Sequence, residues 1–251
     1  MNRLGDKTAI VTGSSRGIGR SVAARLRAEG AALVLVSRDA ETGKAQAEEL
    51  GGPVVHVAGS VEDPSTADRA IAAAADLGGV DVLVNNAAVD LVGRLTASEE
   101  ADVRRVFDVN LFGTLWMLRS VAAELERLRR PGSIVNVTSR LASVGVPEMT
   151  IYGSSKGAVL ALTRGAAVEL APRGIRVNAV APGMTATPMF EEYLAGHTRA
   201  RTRRREVEES IPQRRLADPA DVAAAVAFLA ADESSHITGA SIPVDGGYTA
   251  A

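Results

Sequence analysis

Seven short apolar, β-branched runs alternate with longer stretches of helical period, and no break in composition separates them. Together these observations predict an α/β chain, a doubly wound parallel sheet of seven strands with helices on both faces. The first run, 8–11, leads through a glycine-rich turn into a helix at 17–29. Strand 33–36 precedes helix 40–50, strand 54–57 precedes helix 64–76, and strand 82–84 precedes a long helix at 99–128. Strand 134–137 is followed by helix 152–170, strand 175–180 by an irregular stretch, and helix 219–231 by the last strand, 241–244. Parallel neighbours need a covering crossover of fixed hand, so the alternation implies helices on both sides of the sheet. The irregular stretch, 182–212, is rich in Pro, Gly, Met, Thr and Arg. A connection of that length inside a compact domain reads as a substrate lid. The whole chain, 1–251, reads as one domain.

Composition narrows the function classes. Hydrophobic residues make up 46% of the 251 residues and charged residues 23%, with a net charge of −2. A near-neutral balance argues against general nucleic-acid binding, which needs a basic face. The local exception is the run Arg199, Arg201, Arg203, Arg204 and Arg205. It alternates with Glu206, Glu208 and Glu209 and reads as a solvated helix face, with an anionic carrier as the other reading. No apolar run approaches the roughly 18 residues of a membrane span. The first strand begins at Thr8, which leaves no room for an export leader, and zero cysteines suit a reducing compartment, so the expected location is the cytoplasm. His56, His197 and His236 lie far apart without metal-ligand spacing, and no metal site is expected.

Two motifs carry chemistry. Thr12-Gly13-Ser14-Ser15-Arg16-Gly17-Ile18-Gly19 joins the first strand to the first helix. Glycines let the backbone turn tightly and approach a pyrophosphate, and the helix start offers free N–H groups and a positive dipole end. Tyr152 and Lys156 stand four residues apart in a chain with three tyrosines, a spacing that puts both on one helix face. A lysine beneath a phenol favours its ionised form, so the pair is expected to be an acid/base tyrosine with a lowered pKa.

The glycine motif, Asn85-Asn86-Ala87-Ala88, Asn110, Ser139, Tyr152 to Lys156, Pro182-Gly183 with Thr187, and Pro243 to Gly247 together closely resemble the short-chain dehydrogenase/reductase family. The likeness is to members similar to 3-oxoacyl-carrier-protein reductase, and it spans essentially the whole chain. Two departures are Ala88, where the family most often has glycine, and Ser60, where many members have an aspartate that meets the adenine. The resemblance implies a Rossmann-type fold and hydride transfer between a nicotinamide and a carbonyl or alcohol. Tyr152 is then the proton donor, Ser139 holds the substrate oxygen, and Lys156 sits on the nicotinamide ribose. Asn110 distorts its helix and completes a proton relay. The implied cofactor residues are Gly13 to Gly19, Ser37, Arg38, Ser60, Val61, Asn86, Ala87, Tyr152, Lys156, Pro182, Gly183, Thr185 and Thr187. Asn85 reads as a brace to the neighbouring strand.

The second strand ends in Ser37-Arg38, with no acid at the first position, and Arg16 lies in the glycine loop. A ribose 2′-hydroxyl usually meets a carboxylate there and a 2′-phosphate meets arginine, so NADP is expected over NAD, with Asp39 the residue that could reverse the choice. Leu141, Val146, Met149, Met184, Phe190 and Tyr193 are expected around the substrate beside Ser139 and Tyr152, with Tyr193 as the polar handle. Such a wall suits a neutral hydrophobic ketone or a β-ketoacyl substrate, an acyl carrier being possible. The alternatives are an NAD-dependent secondary alcohol dehydrogenase and, from another class, a non-catalytic dinucleotide-binding regulator. Small Gly157, Ala161 and Gly165 on the Tyr152 helix, with the family's usual tetramer, imply a homo-oligomer.

Overall fold

The computed structural model describes residues 2–195 and 200–251. Seven parallel strands form one sheet in the order β3-β2-β1-β4-β5-β6-β7. They are β1 (Thr8–Thr12), β2 (Ala32–Ser37), β3 (Val54–Ala58), β4 (Val82–Asn85), β5 (Gly132–Val137), β6 (Ile175–Pro182) and β7 (Ser241–Val244). The sheet is as the sequence predicts, with β6 carried two residues further, to Pro182. Side chains alternate across it. Ala9 and Val11 pack with α1 (Gly17–Ala28), α2 (Ala40–Leu50) and α9 (Pro219–Ala230), while Ile10 packs with α3 (Ser65–Ala75), α5 (Gly113–Leu128) and α6 (Thr150–Leu170). The chain order reverses between β1 and β4, and in a doubly wound sheet ligands gather at the carboxyl edge beside that point.

Two expectations need correction. The helix expected over 99–128 is broken into α4 (Glu100–Phe107), a π-helical turn (Asp108–Phe112) and α5. The turn centres on Asn110, which the resemblance implies distorts its helix and whose buried amide reaches sideways. Its Nδ2 donates to the Val89 carbonyl at 2.9 Å and to Ser155 Oγ at 3.0 Å, and its Oδ1 accepts from the Val89 amide at 2.9 Å. Such π turns are typically single insertions at functional places.

The stretch 182–212 is also not irregular throughout. It contains α7 (Pro188–Ala195) and α8 (Ala200–Ser210). Proline at the first helical position and Thr187 Oγ1 accepting from the Phe190 amide start α7. Pairs such as Arg205 to Glu209 at 3.2 Å and Arg203 to Glu206 at 3.2 Å lace α8. Phe190, Leu194, Val207, Ile211 and Leu216 form a small core of their own beneath these two helices. Arg199 and His197 lie outside the described residues. No helix among the described residues is long and apolar enough to cross a membrane.

Candidate active site

One cleft of about 740 Å³ lies along the carboxyl edge of the sheet. Its floor at one end is the loop between β1 and α1, where Gly13, Ser15, Arg16, Gly17 and Ile18 line the cleft. Close packing dictates the glycines. Gly13 has φ +63°, and a Cβ on it would lie 2.7 Å from the Ala87 Cα; a Cβ on Gly19 would strike the Gly13 carbonyl oxygen and Asn86 Nδ2. Asn86 holds the loop by donating to the carbonyls of Thr12 and Gly13, both at 3.0 Å. Ser14 and Gly19, expected to touch a cofactor, do not line the cleft. Gly19 is needed for loop packing, and Ser14 is fully buried with its Oγ unpartnered.

Ser37, Arg38, Ser60, Val61, Asn86 and Ala87 continue the lining, and Pro182, Gly183, Thr185 and Thr187 close it near α7. Arg38 is exposed there, while Asp39 is committed elsewhere: its carboxylate caps α2, accepting from the Thr42 amide at 2.8 Å. The Ser37 hydroxyl lies 2.9 Å from His56 Nε2. Arg16 reaches across the cleft mouth to pair with Glu192 of α7. Asn85 donates to Asn136 Oδ1 on neighbouring β5 at 2.9 Å, the bracing position read from the sequence.

The β5 end and the first two turns of α6 bring Ser139, Tyr152 and Lys156 to the cleft. Lys156 is buried, its Nζ donates to the Val137 carbonyl at 2.9 Å, and it stands 5.8 Å from the Tyr152 ring centre. Burial pulls its pKa down to about 8. Tyr152 moves the opposite way from the expectation. Loss of solvation, with the nearby Asp90 charge adding to it, pushes the phenol up to about 12, and a hydrogen bond with Ser139 opposes this only in part. Lys156 gives one of its three donors to a carbonyl, and burial rather than its charge sets the direction. Ser139 Oγ accepts from the Leu141 amide at 3.2 Å, which leaves its own proton for another acceptor. Asn110 does not line the cleft; its side chain is fully engaged by Val89 and Ser155.

On the substrate side Leu141, Val146, Met149, Met184, Phe190 and Tyr193 all reach the cleft. The Tyr193 hydroxyl, expected to be the polar handle, accepts from Arg203 Nε at 3.1 Å and Nη2 at 3.0 Å. The wall is also less apolar than the sequence suggested, because Asp90, Arg105, Arg140, Glu148 and Glu192 line it as well. Asp90 follows the β4 end by five positions, and that placement at the carboxyl edge was the one available signal. Glu148 sits in left-handed backbone, φ +65°, and its carbonyl accepts from the Gly93 amide at 2.9 Å.

Known proteins share this fold. The profile of a family described as enoyl-(acyl carrier protein) reductase matches residues 13–249. A solved structure titled short chain dehydrogenase/reductase family protein superposes with a TM-score of 0.88 at 36% identity, covering 99% of this chain and 100% of its own. The chain belongs to the short-chain dehydrogenase/reductase family. It is 38% identical to 3beta-hydroxysteroid dehydrogenase 1 of Eggerthella lenta, over 98% of this chain and 95% of that one. It is 36% identical to L-2,3-butanediol dehydrogenase of Corynebacterium glutamicum, over 96% and 98%. It is therefore an NAD(P)-dependent oxidoreductase of CH–OH and C=O groups, acting on small molecules.

Proposed function

We propose that this short-chain dehydrogenase/reductase is an NADPH-preferring carbonyl reductase that reduces a neutral, largely apolar ketone. The observation that carries the reading is the meeting of Ser139, Tyr152 and Lys156 in the same cleft as the glycine loop. The cleft suits a dinucleotide: the loop is bare of side chains where a Cβ would collide, and it opens at the start of α1. Loop amides would hold the pyrophosphate, Arg38 and Arg16 the 2′-phosphate, Lys156 the ribose, and Pro182, Gly183, Thr185 and Thr187 the nicotinamide end. Bound NADPH supplies the hydride that reduces the carbonyl carbon.

The chain's own residues manage the oxygen. Ser139 donates its hydroxyl proton to the carbonyl oxygen as charge develops there, and Tyr152 gives up its phenolic proton to complete the alcohol. A phenol raised to about 12 is fully protonated at neutral pH, the form a reductase needs. The phenolate left behind faces the Lys156 ammonium, which favours the transfer and the tyrosine's return to its starting form. Asp39 is held as a helix cap, which supports NADP over NAD. Asp90 and Glu148 oppose a carboxylate and Arg140 is stacked on the Tyr248 ring, which supports a neutral ketone over a small α-keto acid. Arg130 pairs with Asp81, Arg173 with Glu126, and Arg203 to Arg205 with acids of α7 and α8. That pairing favours a free ketone over one borne by an acidic carrier. The stretch from Pro182 through α8 acts as the lid. Exposed Ala161 and Gly165 on α6 present a smooth face for a homo-oligomer, proposed to be a tetramer.

The same residues run backwards oxidise an alcohol, the direction named for the relatives above. Steady-state kinetics with cyclohexanone test the reading. Tyr152→Phe should leave NADPH affinity within a few-fold and lower kcat by about 10² or more. Arg38→Asp should erode the preference for NADPH over NADH by tenfold or more, since each charge-assisted contact is worth about 1.5–3 kcal/mol. Near wild-type turnover by the phenylalanine variant would end the acid assignment, and equal use of both cofactors by the wild type would end the NADP assignment.

A further inference from the structure

Among the described residues, Asp90 is the cleft carboxylate whose charge adds to burial in raising the Tyr152 phenol. It is half-buried, on the loop that follows β4, and it forms no ion pair among the described residues. The charged groups around it are Arg16 of the glycine loop and Glu192 of α7, and these two are paired with each other across the cleft mouth. Burial pushes its carboxyl above the ordinary aspartate range, with Glu192 adding to the rise and its own backbone amide and Arg16 opposing it. Its position is not loose. Val89, the residue before it, is clamped through both its amide and its carbonyl by Asn110, which also bonds Ser155 on the helix that carries Tyr152. Leaving a carboxylate partly desolvated costs free energy unless a donor meets it in the working complex. Tyr152 marks where the substrate oxygen must lie. Asp90 and Tyr152 line the same cleft and Asn110 ties the Asp90 loop to the Tyr152 helix, which places a donor that meets Asp90 on the same substrate as the reacting carbonyl.

We propose that Asp90 is a specificity-determining residue that accepts a hydrogen bond from a hydroxyl adjacent to the reacting carbonyl, so that the favoured substrates are α-hydroxyketones and, in reverse, vicinal diols. This rests on the carbonyl-reductase reading above and names its substrate class. The apolar residues of the wall cover the carbon skeleton, and Asp90 supplies the polar contact that Tyr193, bonded to Arg203, was expected to make. A carboxylate accepting from a hydroxyl forms a short, charge-assisted bond. Sites that bond a substrate hydroxyl discriminate strongly against analogues that lack it.

The test compares 2-hydroxycyclohexanone with cyclohexanone, a pair that differs only in the hydroxyl. Wild-type enzyme should favour the hydroxyketone by about tenfold or more in kcat/KM, and the ratio should fall towards one in both Asp90→Ala and Asp90→Asn. NADPH binding by fluorescence shows that each variant is folded. A second readout separates recognition from a packing role. Removing the charge in Asp90→Asn should lower the pKa of the Tyr152 phenol, read by difference ultraviolet titration against Tyr152→Phe, because that charge adds to burial in holding the phenol protonated. Equal wild-type rates on the two ketones, or a preference that survives both substitutions, overturns the role of Asp90 and leaves the reductase reading standing. Absence of NADPH-dependent reduction of either ketone overturns both.

Discussion

The two ends of the cleft are built by different physics. At the β1 end the loop is fixed by packing without side chains: Gly13 against Ala87, Gly19 against the loop's own carbonyl, and Asn86 donating to Thr12 and Gly13. Behind it lies a deep core of fully buried residues such as Val11, Leu33 and Leu35. At the α7–α8 end a five-residue apolar cluster is topped by ion pairs whose partners are mostly exposed, Arg204 with Glu191, Arg205 with Glu209 and Arg16 with Glu192. Exposed pairs contribute about 0–1 kcal/mol each. One end is thus preformed and intolerant of change, and the other is held weakly enough to adapt to a substrate.

The largest effect that tests this contrast comes from Gly19→Ala. The added methyl has no space between the Gly13 carbonyl and Asn86, and overpacking of this kind costs about 1–3 kcal/mol. We expect NADPH affinity to fall by tenfold or more and the melting midpoint to drop by about 2–4 °C for each kcal/mol lost. Unchanged affinity would mean that the glycine loop is not preformed.

Next in size is the group at the boundary of the two ends. Lys156 titrates at about 8 in the folded chain and 10.5 when free, so between those pH values the unfolded chain binds the extra proton. Folding stability contributed by this residue therefore rises as pH goes from 8 to 10.5. Tyr152 has the opposite sign, raised from 10.0 to about 12, and removes stability only above pH 10. Urea unfolding of wild type and Lys156→Met between pH 7 and 10 isolates the lysine. The wild type should gain on the variant as pH rises, and a constant difference would contradict the buried cation.

The smallest effect belongs to the lid. Glu192→Gln should shift stability by less than about 1 kcal/mol, because the pair with Arg16 is exposed. It should also lower the KM for NADPH by about two- to threefold as Arg16 is released. A higher KM would show that Glu192 aids cofactor binding rather than competing for its arginine.

The sheet was legible because its strands are continuous apolar runs bounded by glycine and by helical period, a signal that survives without tertiary information. Tyr152 and Lys156 were legible because their spacing puts both on one helix face, whereas Ser139, just beyond a strand end, was legible through the family resemblance. What escaped was decided by partners distant in sequence. The resemblance implied that Asn110 distorts its helix, but nothing local in 99–128 names Val89 and Ser155 as the partners its side chain takes. Composition at 182–190 argued against helix, although the Arg and Glu spacing of α8 already argued for it. The upward shift of Tyr152 comes first from burial and then from Asp90, 62 positions earlier in the chain, and no local pattern announces either.

The clamp at Asn110 also bears on how this scaffold can diversify. One amide fastens the β4 loop to the helix of the proton donor, so the backbone up to Val89 is set by a residue that never meets a ligand. Beyond that anchor the chain is released into the cleft wall. Positions 90–92 can therefore be exchanged as a short cassette, altering what lies against the substrate while the acid stays where it is. New specificities in this chain are most cheaply sought there, with Asn110 left untouched.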